Sequence, residues 1–377
     1  MKNKRLLYIV NDLPFFLSHR LALAKAASKE GFEVHIATPQ GTPDLELIDA
    51  AFTFHTIPLS RKGKNPVREL FTIIAIHRLL QKLKPDMLTL ASIKPVLYGG
   101  LMARLSKVPA VVVMVSGLGA VFVDDRLLGR IFLKGIKKAY RLALRHRNLK
   151  VIFQNEDDRQ VLLKAAKLPI AQTRVIKGSG VDVNKYTVTP ENKSQVVVMM
   201  VARLLKDKGV LEYVAAAKKL KTEGVVAQFL LIGDSDYENP AFIEDKYIDQ
   251  FREEAYVELL GYREDIPQLM AQANIVVLPS YREGLPNVLI EAASCARAVV
   301  TTDVPGCRDA ISHNQTGLLV PVKDVNALSA AIRWLIENPD EREKFGKKGR
   351  ELAEQEFAIE KIVAAQIQVY QELVSIQ

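Results

Sequence analysis

The chain has 377 residues, about half of them apolar, and a formal net charge of +9. That length is generous for one core and sets an expectation of two domains. Two cysteines, Cys295 and Cys307, exclude a disulfide framework and a cysteine metal cluster.

The charge is uneven. Residues 1–190 hold 31 basic against 14 acidic residues, a net +17, and the remainder holds 21 against 29, a net −8. A basic first half points to a membrane surface, a nucleic acid or an acidic substrate. Lys2, Lys4 and Arg5 precede the apolar run Leu6–Val10, but Asn11 and Asp12 end it too soon for a signal peptide. The longest uncharged run, Val108 to Val123, has 16 residues and is broken by Pro109, Ser116, Gly117 and Gly119. It falls short of the roughly 20 that cross a bilayer and reads as a buried strand entering a glycine loop. A cytoplasmic protein is expected.

In chain order, buried strands are predicted at Leu6–Val10, Glu33–Ala37, Met87–Leu90, Ala110–Val115 and Val151–Gln154. Helices are predicted between them at Ser18–Lys29, Pro66–Leu83, Lys94–Ser106, Leu127–Arg145 and Glu156–Ala166. The segment Lys177–Lys193, rich in glycine and polar residues, reads as a connection between domains. A second series follows, with strands at Val196–Val201, Gln228–Ile232, Tyr256–Leu260, Ile275–Leu278, Ala298–Thr302 and Gly317–Val320. Helices fit at Gly209–Lys221, Pro286–Cys295 and Asn326–Glu337. After the charged segment Glu341–Glu356, one more amphipathic helix runs from Phe357 to Val374. The alternation predicts two α/β, doubly wound, Rossmann-like domains facing a central cleft. Their expected bounds are 1–190 and 191–356, with 357–377 a helix packing back on the first domain.

Two glutamates carry the most chemistry. Glu283 and Glu291 lie eight apart in a stretch that passes from a strand through a loop into a helix. Pro286 suits the first helical position, and free N–H groups near Gly284 would face an anion such as a phosphate. Glu291 sits among Val288, Leu289, Ile290, Ala292 and Ala293. A carboxylate there needs partners, and a ribose offers two adjacent hydroxyls. Arg203 and Lys208 follow a predicted strand and precede a helix, where fixed cations would stabilise charge on a departing phosphate; a solvated loop pair is the ordinary alternative. Asp234-Ser235-Asp236 reads as a loop with Gly233 near a ligand, not as a metal triplet. No two histidines have metal-ligand spacing.

Further motifs complete the pattern: Val257–Ile266 with Gly261-Tyr262-Arg263, Asp303-Val304-Pro305-Gly306, and Asn314–Pro321. Together with the paired glutamates and the basic loop, they resemble the family 4 retaining glycosyltransferases of GT-B fold. The resemblance covers nearly the whole chain and is strongest from Val196 to Val320. Ser116-Gly117-Leu118-Gly119, Gly180-Val181-Asp182 and Gly306-Cys307 resemble the bacterial branch that extends undecaprenyl-diphosphate-linked sugars for O-antigen, lipopolysaccharide or protein-glycan assembly. Two departures stand out. The loop Asp12–Arg20 lacks the glycine pair common in the family, leaving Arg20 as a side-chain substitute, and Asp309 stands where glutamate is frequent.

The resemblance implies a retaining hexosyl or N-acetylhexosaminyl transferase using a UDP-sugar, with no cofactor and no metal, and a polyprenyl-diphosphate-linked saccharide as acceptor. It implies catalytic roles for Glu283, Arg203 and Lys208. It implies donor contacts from Glu291, Gly284, Leu285, Pro286, Tyr262, Arg263 and Gly233. His19, Arg20, Ser116 and Gly117 are acceptor or cleft candidates, because they lie at the carboxyl ends of predicted strands. Arg126–Lys150 holds nine basic residues and no acid, interleaved with Leu and Ile, which suits an anionic membrane on the inner face of the cytoplasmic membrane or a lipid diphosphate. A solvated helix face is the plain alternative. A sugar-nucleotide epimerase and a non-catalytic nucleotide-binding subunit are the rival functions. Nucleic acid is disfavoured, because the basic stretch lacks interleaved aromatics and a known module.

Overall fold

The computed structural model describes residues 4–40, 52–60, 65–118 and 127–375, with side chains of 127–133 left out. Gly119 and Arg126 lie outside the described residues, as does the side chain of Arg130.

The chain forms two compact units, residues 1–179 with 362–377, and residues 180–361. The first begins with β1 (Lys4–Ile9), α1 (Leu13–His19), α2 (Leu21–Lys29), β2 (Phe32–Thr38), β3 (Phe52–Thr56), α3 (Pro66–Leu83) and β4 (Met87–Ala91). A π-helical turn at Pro95–Gly99 leads into α4 (Gly100–Leu105), then β5 (Ala110–Val115), α5 (Leu127–Ala143), β6 (Leu149–Phe153), α6 (Glu156–Ala166) and β7 (Thr173–Val175). The second unit has β8 (Val197–Val201), α7 (Val210–Thr222), β9 (Gln228–Ile232), α8 (Asp245–Glu254), β10 (Glu258–Gly261), α9 (Ile266–Gln272), β11 (Ile275–Leu278) and α10 (Asn287–Ser294). It continues with β12 (Ala298–Thr302), α11 (Cys307–Ala310), β13 (Gly317–Val320), α12 (Val325–Glu337) and α13 (Pro339–Leu352). The last helix, α14 (Ile359–Ser375), returns the chain to the first unit.

Both sheets are parallel, with strand orders β3-β2-β1-β4-β5-β6-β7 and β10-β9-β8-β11-β12-β13. The order reverses between β1 and β4, and again between β8 and β11. Those are the points where an open α/β sheet leaves a crevice at its carboxyl edge. Strands such as Ala110–Val115 are buried on both faces, which is why they read as unbroken apolar runs rather than alternating ones. In the first unit, α3, α4, α5 and α6 cover one face of the sheet, while α1, α2 and α14 cover the other. There Tyr370 of α14 is fully buried, and its hydroxyl lies 3.1 Å from both Tyr8 Oη and Thr89 Oγ1.

Several local features depart from the sequence reading. The predicted helix Ser18–Lys29 is two helices broken at Arg20, whose φ of −127° leaves the helical region. The unit boundary falls at 179/180 rather than near 190, because Val181 bridges Ala358 and Tyr186 joins the second core. The charged segment before the last helix is itself the helix α13. It is tied down by Arg342, which meets Glu191 at 2.7 Å with both side chains buried.

Candidate functional site

The second unit assembles its site from three loops at the carboxyl edge of β8, β11 and β12. The loop after β8 makes a short turn at Lys206–Lys208 and ends on Gly209, with φ 75°. A Cβ there would lie 2.1 Å from the Pro279 carbonyl oxygen, so only glycine lets this loop touch the loop after β11. The two loops then share hydrogen bonds: Tyr281 N donates to the Asp207 carbonyl at 2.8 Å. Ser280 Oγ lies 3.1 Å from the same carbonyl and 2.7 Å from Glu283 Oε1, either of which can accept its one proton. The loop after β12 closes from the other side. Glu283 N donates to the Pro305 carbonyl, and Gly306, with φ 82°, sits where a Cβ would come within 2.6 Å of the Glu283 and Gly284 carbonyl oxygens. Asp309 accepts the Gly306 N–H at 3.0 Å, so the aspartate does a capping job its shorter side chain can reach.

These locks place Lys208 Nζ 2.5 Å from Glu283 Oε1, with the two side chains 21% and 12% exposed. Glu283 Oε1 is thus shared by Lys208 and Ser280, while nothing among the described residues engages Oε2. The result is a rigid carboxylate beside an ammonium, with one oxygen left to accept from a ligand hydroxyl.

Glu291 lies in α10, half-buried, and the Tyr186 phenol is the side chain that interacts with it. Burial pushes the Glu291 carboxyl up to about 7, while Tyr186 and Lys185 oppose the rise. Tyr186 is held in place through its carbonyl by Arg350 Nη1 at 2.9 Å and Ser294 Oγ at 3.1 Å. The sequence reading missed Tyr186, Lys185 and Ser280. The glycine-marked segment Gly180–Tyr186 reads in sequence as a connection, and the closeness of Tyr186 to Glu291 is a tertiary fact.

Other candidates lie apart from this cluster. Arg203 pairs with Asp236 at 2.6 Å, which gives the aspartate of the Asp-Ser-Asp run a partner. Gly233, with φ 137°, would place a Cβ 1.9 Å from the Ala202 carbonyl oxygen, so the loops after β8 and β9 also meet through glycine. Tyr262 is 69% exposed beyond the end of β10, and Arg263 forms a two-bond pair with Asp265 at 2.8 and 2.6 Å. A cavity of about 510 Å³ beside Gly233 and Gly261 is lined by Asp234, Asp245 and Asp249. Arg252 also lines it and pairs with Asp249 at 3.0 Å. Leu285 is buried, and Pro286 takes the position before the first helical residue rather than the first helical position itself, with ψ 120°.

In the first unit, Arg20 and Ser116 meet at the carboxyl edge. Arg20 is 2% exposed and donates to Ser116 Oγ from Nη2 at 2.9 Å. Among the described residues no carboxylate faces it. Burial lowers its pKa to about 10, against the Tyr370 and Tyr8 phenols. Its hydrogen bonds among the described residues go to Ser116 Oγ and, at 3.4 Å, to the His19 carbonyl. His19 stacks on Phe15, lies 2.6 Å from Ser18 Oγ, and is held neutral: burial, and then Arg20, lower it to about 4. Gly117 follows with φ 116°. In the basic stretch, Lys138, Arg141, Arg145 and Arg147 line a cavity of about 610 Å³ together with Lys167. His35, His55 and His77 are in packing or hydrogen-bonding roles with their neighbours. Among the described residues, no three His, Cys, Asp or Glu side chains converge as metal ligands would, and no helix is long and apolar enough to cross a membrane.

Comparison with known proteins agrees with this layout. Residues 184–352 match the family described as glycosyl transferases group 1, and residues 5–155 match glycosyl transferase 4-like. The chain is 30% identical over 344 residues to the N,N'-diacetylbacillosaminyl-diphospho-undecaprenol alpha-1,3-N-acetylgalactosaminyltransferase of Campylobacter jejuni, covering 86% of this chain and 89% of the relative. It is 23% identical over 316 residues to the UDP-Gal:alpha-D-GlcNAc-diphosphoundecaprenol alpha-1,3-galactosyltransferase of Escherichia coli, covering 80% of each. The solved structure of Anabaena HepE in complex with UDP overlays with a TM-score of 0.77 at 18% identity, covering 98% of this chain and all of that one.

Proposed function

Since the chain belongs to the glycosyl transferases group 1, with a 4-like first unit and a GT-B architecture of two Rossmann-like units, we propose that it moves a hexose or N-acetylhexosamine from a UDP-sugar to a polyprenyl-diphosphate-linked saccharide, with retention of configuration. It is a glycosyltransferase; the donor, the acceptor and the residue roles are the proposal. The observation that carries it is the Lys208–Glu283 pair at the β8/β11 switch point, with Glu283 Oε2 open.

In this reading Glu291 accepts the ribose hydroxyls, and Gly284, Leu285 and Pro286 bring the start of α10 to the diphosphate. Glu283 Oε2 accepts from a donor-sugar hydroxyl. Lys208, with Arg203, stabilises the charge that grows on the leaving phosphate. Gly233, Tyr262 and Arg263 line the donor side. Ser116, positioned by Arg20, serves the acceptor side with His19 and Gly117. The acceptor hydroxyl attacks the face from which the diphosphate leaves, and the leaving phosphate takes its proton. No metal is needed in this scheme, because the cations come from the protein. Names of relatives support the acceptor class: both act on undecaprenol-diphosphate-linked sugars. The protein is expected at the inner face of the membrane, held there by the cations of α5.

The test is a panel of UDP-, GDP- and dTDP-sugars with a lipid-linked saccharide, read by product mass. A product from UDP-sugars supports the reading. A product from another nucleotide alone, or from none, overturns it.

A further inference from the structure

Phe71, Leu70 and Val67 are 62%, 56% and 59% exposed, at the i, i+3, i+4 spacing that puts them on one face of α3. On the neighbouring helix, Leu101 and Leu105 are 37% and 63% exposed, also four apart. Single exposed apolar side chains are ordinary, but two adjacent helices each turning an apolar stripe outward are not. The inner faces of the same helices are already spent on the core, through Ile76 and Leu80 of α3 and Met102 of α4.

The charges around the stripes have one sign. Arg68, Arg104 and Lys107 are exposed beside them. Between Pro66 and Lys107 the only acids are Glu69 and Asp86. Glu69 is taken by Lys94 at 2.6 Å and by Tyr98 at 2.6 Å, and Asp86 accepts the main-chain N–H of Arg5 at 2.8 Å.

From this juxtaposition we propose that the outer face of α3 and α4 inserts into an anionic bilayer, its apolar side chains entering the acyl boundary and its cations meeting phosphate headgroups. A second copy of the chain is the poorer occupant. A two-fold interface would set Arg68, Arg104 and Lys107 against their own copies with no acid between them. The start of α3 and Ile93, two residues after β4, both lie at the carboxyl edge of the sheet, beside the β1/β4 switch point. Insertion there brings that edge to the membrane surface. This goes beyond attraction by the α5 cations, because apolar insertion is not screened by salt. Its purpose rests on the reading of a lipid-linked acceptor, but its test needs no acceptor.

Wild type and a Leu70→Ser, Phe71→Ser, Leu105→Ser variant are sedimented with phosphatidylcholine vesicles, with and without phosphatidylglycerol, at low and high salt. The wild type binds the anionic vesicles and keeps part of that binding at high salt. The variant, with an unchanged melting temperature, partitions about tenfold less or weaker still, as when two or three side chains of this size stay in water. Three results overturn the proposal: a wild type that ignores anionic vesicles, binding that high salt removes completely, or a variant that binds as the wild type does. A wild-type dimer that the variant makes monomeric also overturns it, by naming a second copy as the occupant. Transfer to a short-chain, water-soluble acceptor is measured alongside. Its absence in the wild type would count against the transferase reading and leaves the vesicle result to decide insertion.

Discussion

Glu291→Gln separates donor binding from stability. The folded carboxyl is raised from 4.5 to about 7, chiefly by burial. For an acid with a raised folded pKa, the fold favours the neutral form. The stability this brings is complete below about 4.5 and is lost as pH rises through 7. At 1.36 kcal/mol per unit, ionising Glu291 costs the fold about 3 kcal/mol at most, and partial exposure trims that to about 1–2 kcal/mol. Glutamine keeps the shape, stays neutral, and keeps an oxygen on the side chain that faces Tyr186. The variant should therefore melt higher than the wild type at about pH 8, by about 2–4 °C per kcal/mol for a protein of this size, and gain nothing at about pH 4. It should also bind UDP about tenfold more weakly or worse, because hydrogen bonds to a charged acceptor contribute about 1.5–3 kcal/mol. In the wild type, UDP affinity should fall as pH drops from about 8 to 6, while the variant stays flat. Thermal scans at both pH values and calorimetric titration with UDP read all of this. A variant that melts lower at pH 8 and binds UDP as the wild type does would refute the reasoning.

Lys208→Met should lower kcat about 100-fold or more, since it removes one fixed cation from the leaving phosphate, while UDP binding falls much less; near-wild-type turnover in steady-state assays would exclude the role. Gly306→Ala should lower both melting temperature and kcat, because the added Cβ meets the Glu283 and Gly284 carbonyl oxygens at 2.6 Å on a left-handed backbone; unchanged kcat would mean that the Glu283 loop tolerates displacement. Activity should survive EDTA, measured with and without added manganese, and complete loss restored by manganese would reassign Asp234 and Asp236.

The fold was legible where burial makes a strand apolar on both faces. Val276–Leu278 and Val111–Val115 carry no polar alternation to confuse with a loop, and the glutamate motif between β11 and α10 followed from its place after such a strand. What stayed hidden had tertiary causes. β3, Phe52–Thr56, mixes His55 and threonines with its aromatics because it is an edge strand and only partly buried. Arg20 breaks a helix that periodicity runs through, its side chain reaching across to Ser116, the residue after β5. The helix α13 reads in sequence only as a charged segment, since its buried residues are an arginine, a phenylalanine and two glycines rather than an apolar stripe. In the site, residue types predicted the Lys208–Glu283 chemistry, but the contact depends on Gly209 and Gly306, whose lack of a Cβ matters only once the loops meet. Tyr186 could not be foreseen, because it lies more than a hundred residues before the glutamate it touches.

Retaining transfer to an acceptor leaves its mark in the anomeric configuration of the product. Purified protein is given a UDP-sugar with and without a polyprenyl-diphosphate-linked saccharide, and the new glycosidic bond is read by proton NMR. UDP release and product are expected only with acceptor, the product carrying the same anomeric configuration as the donor. An inverted product, or a donor converted to its epimer without acceptor, would contradict retaining transfer.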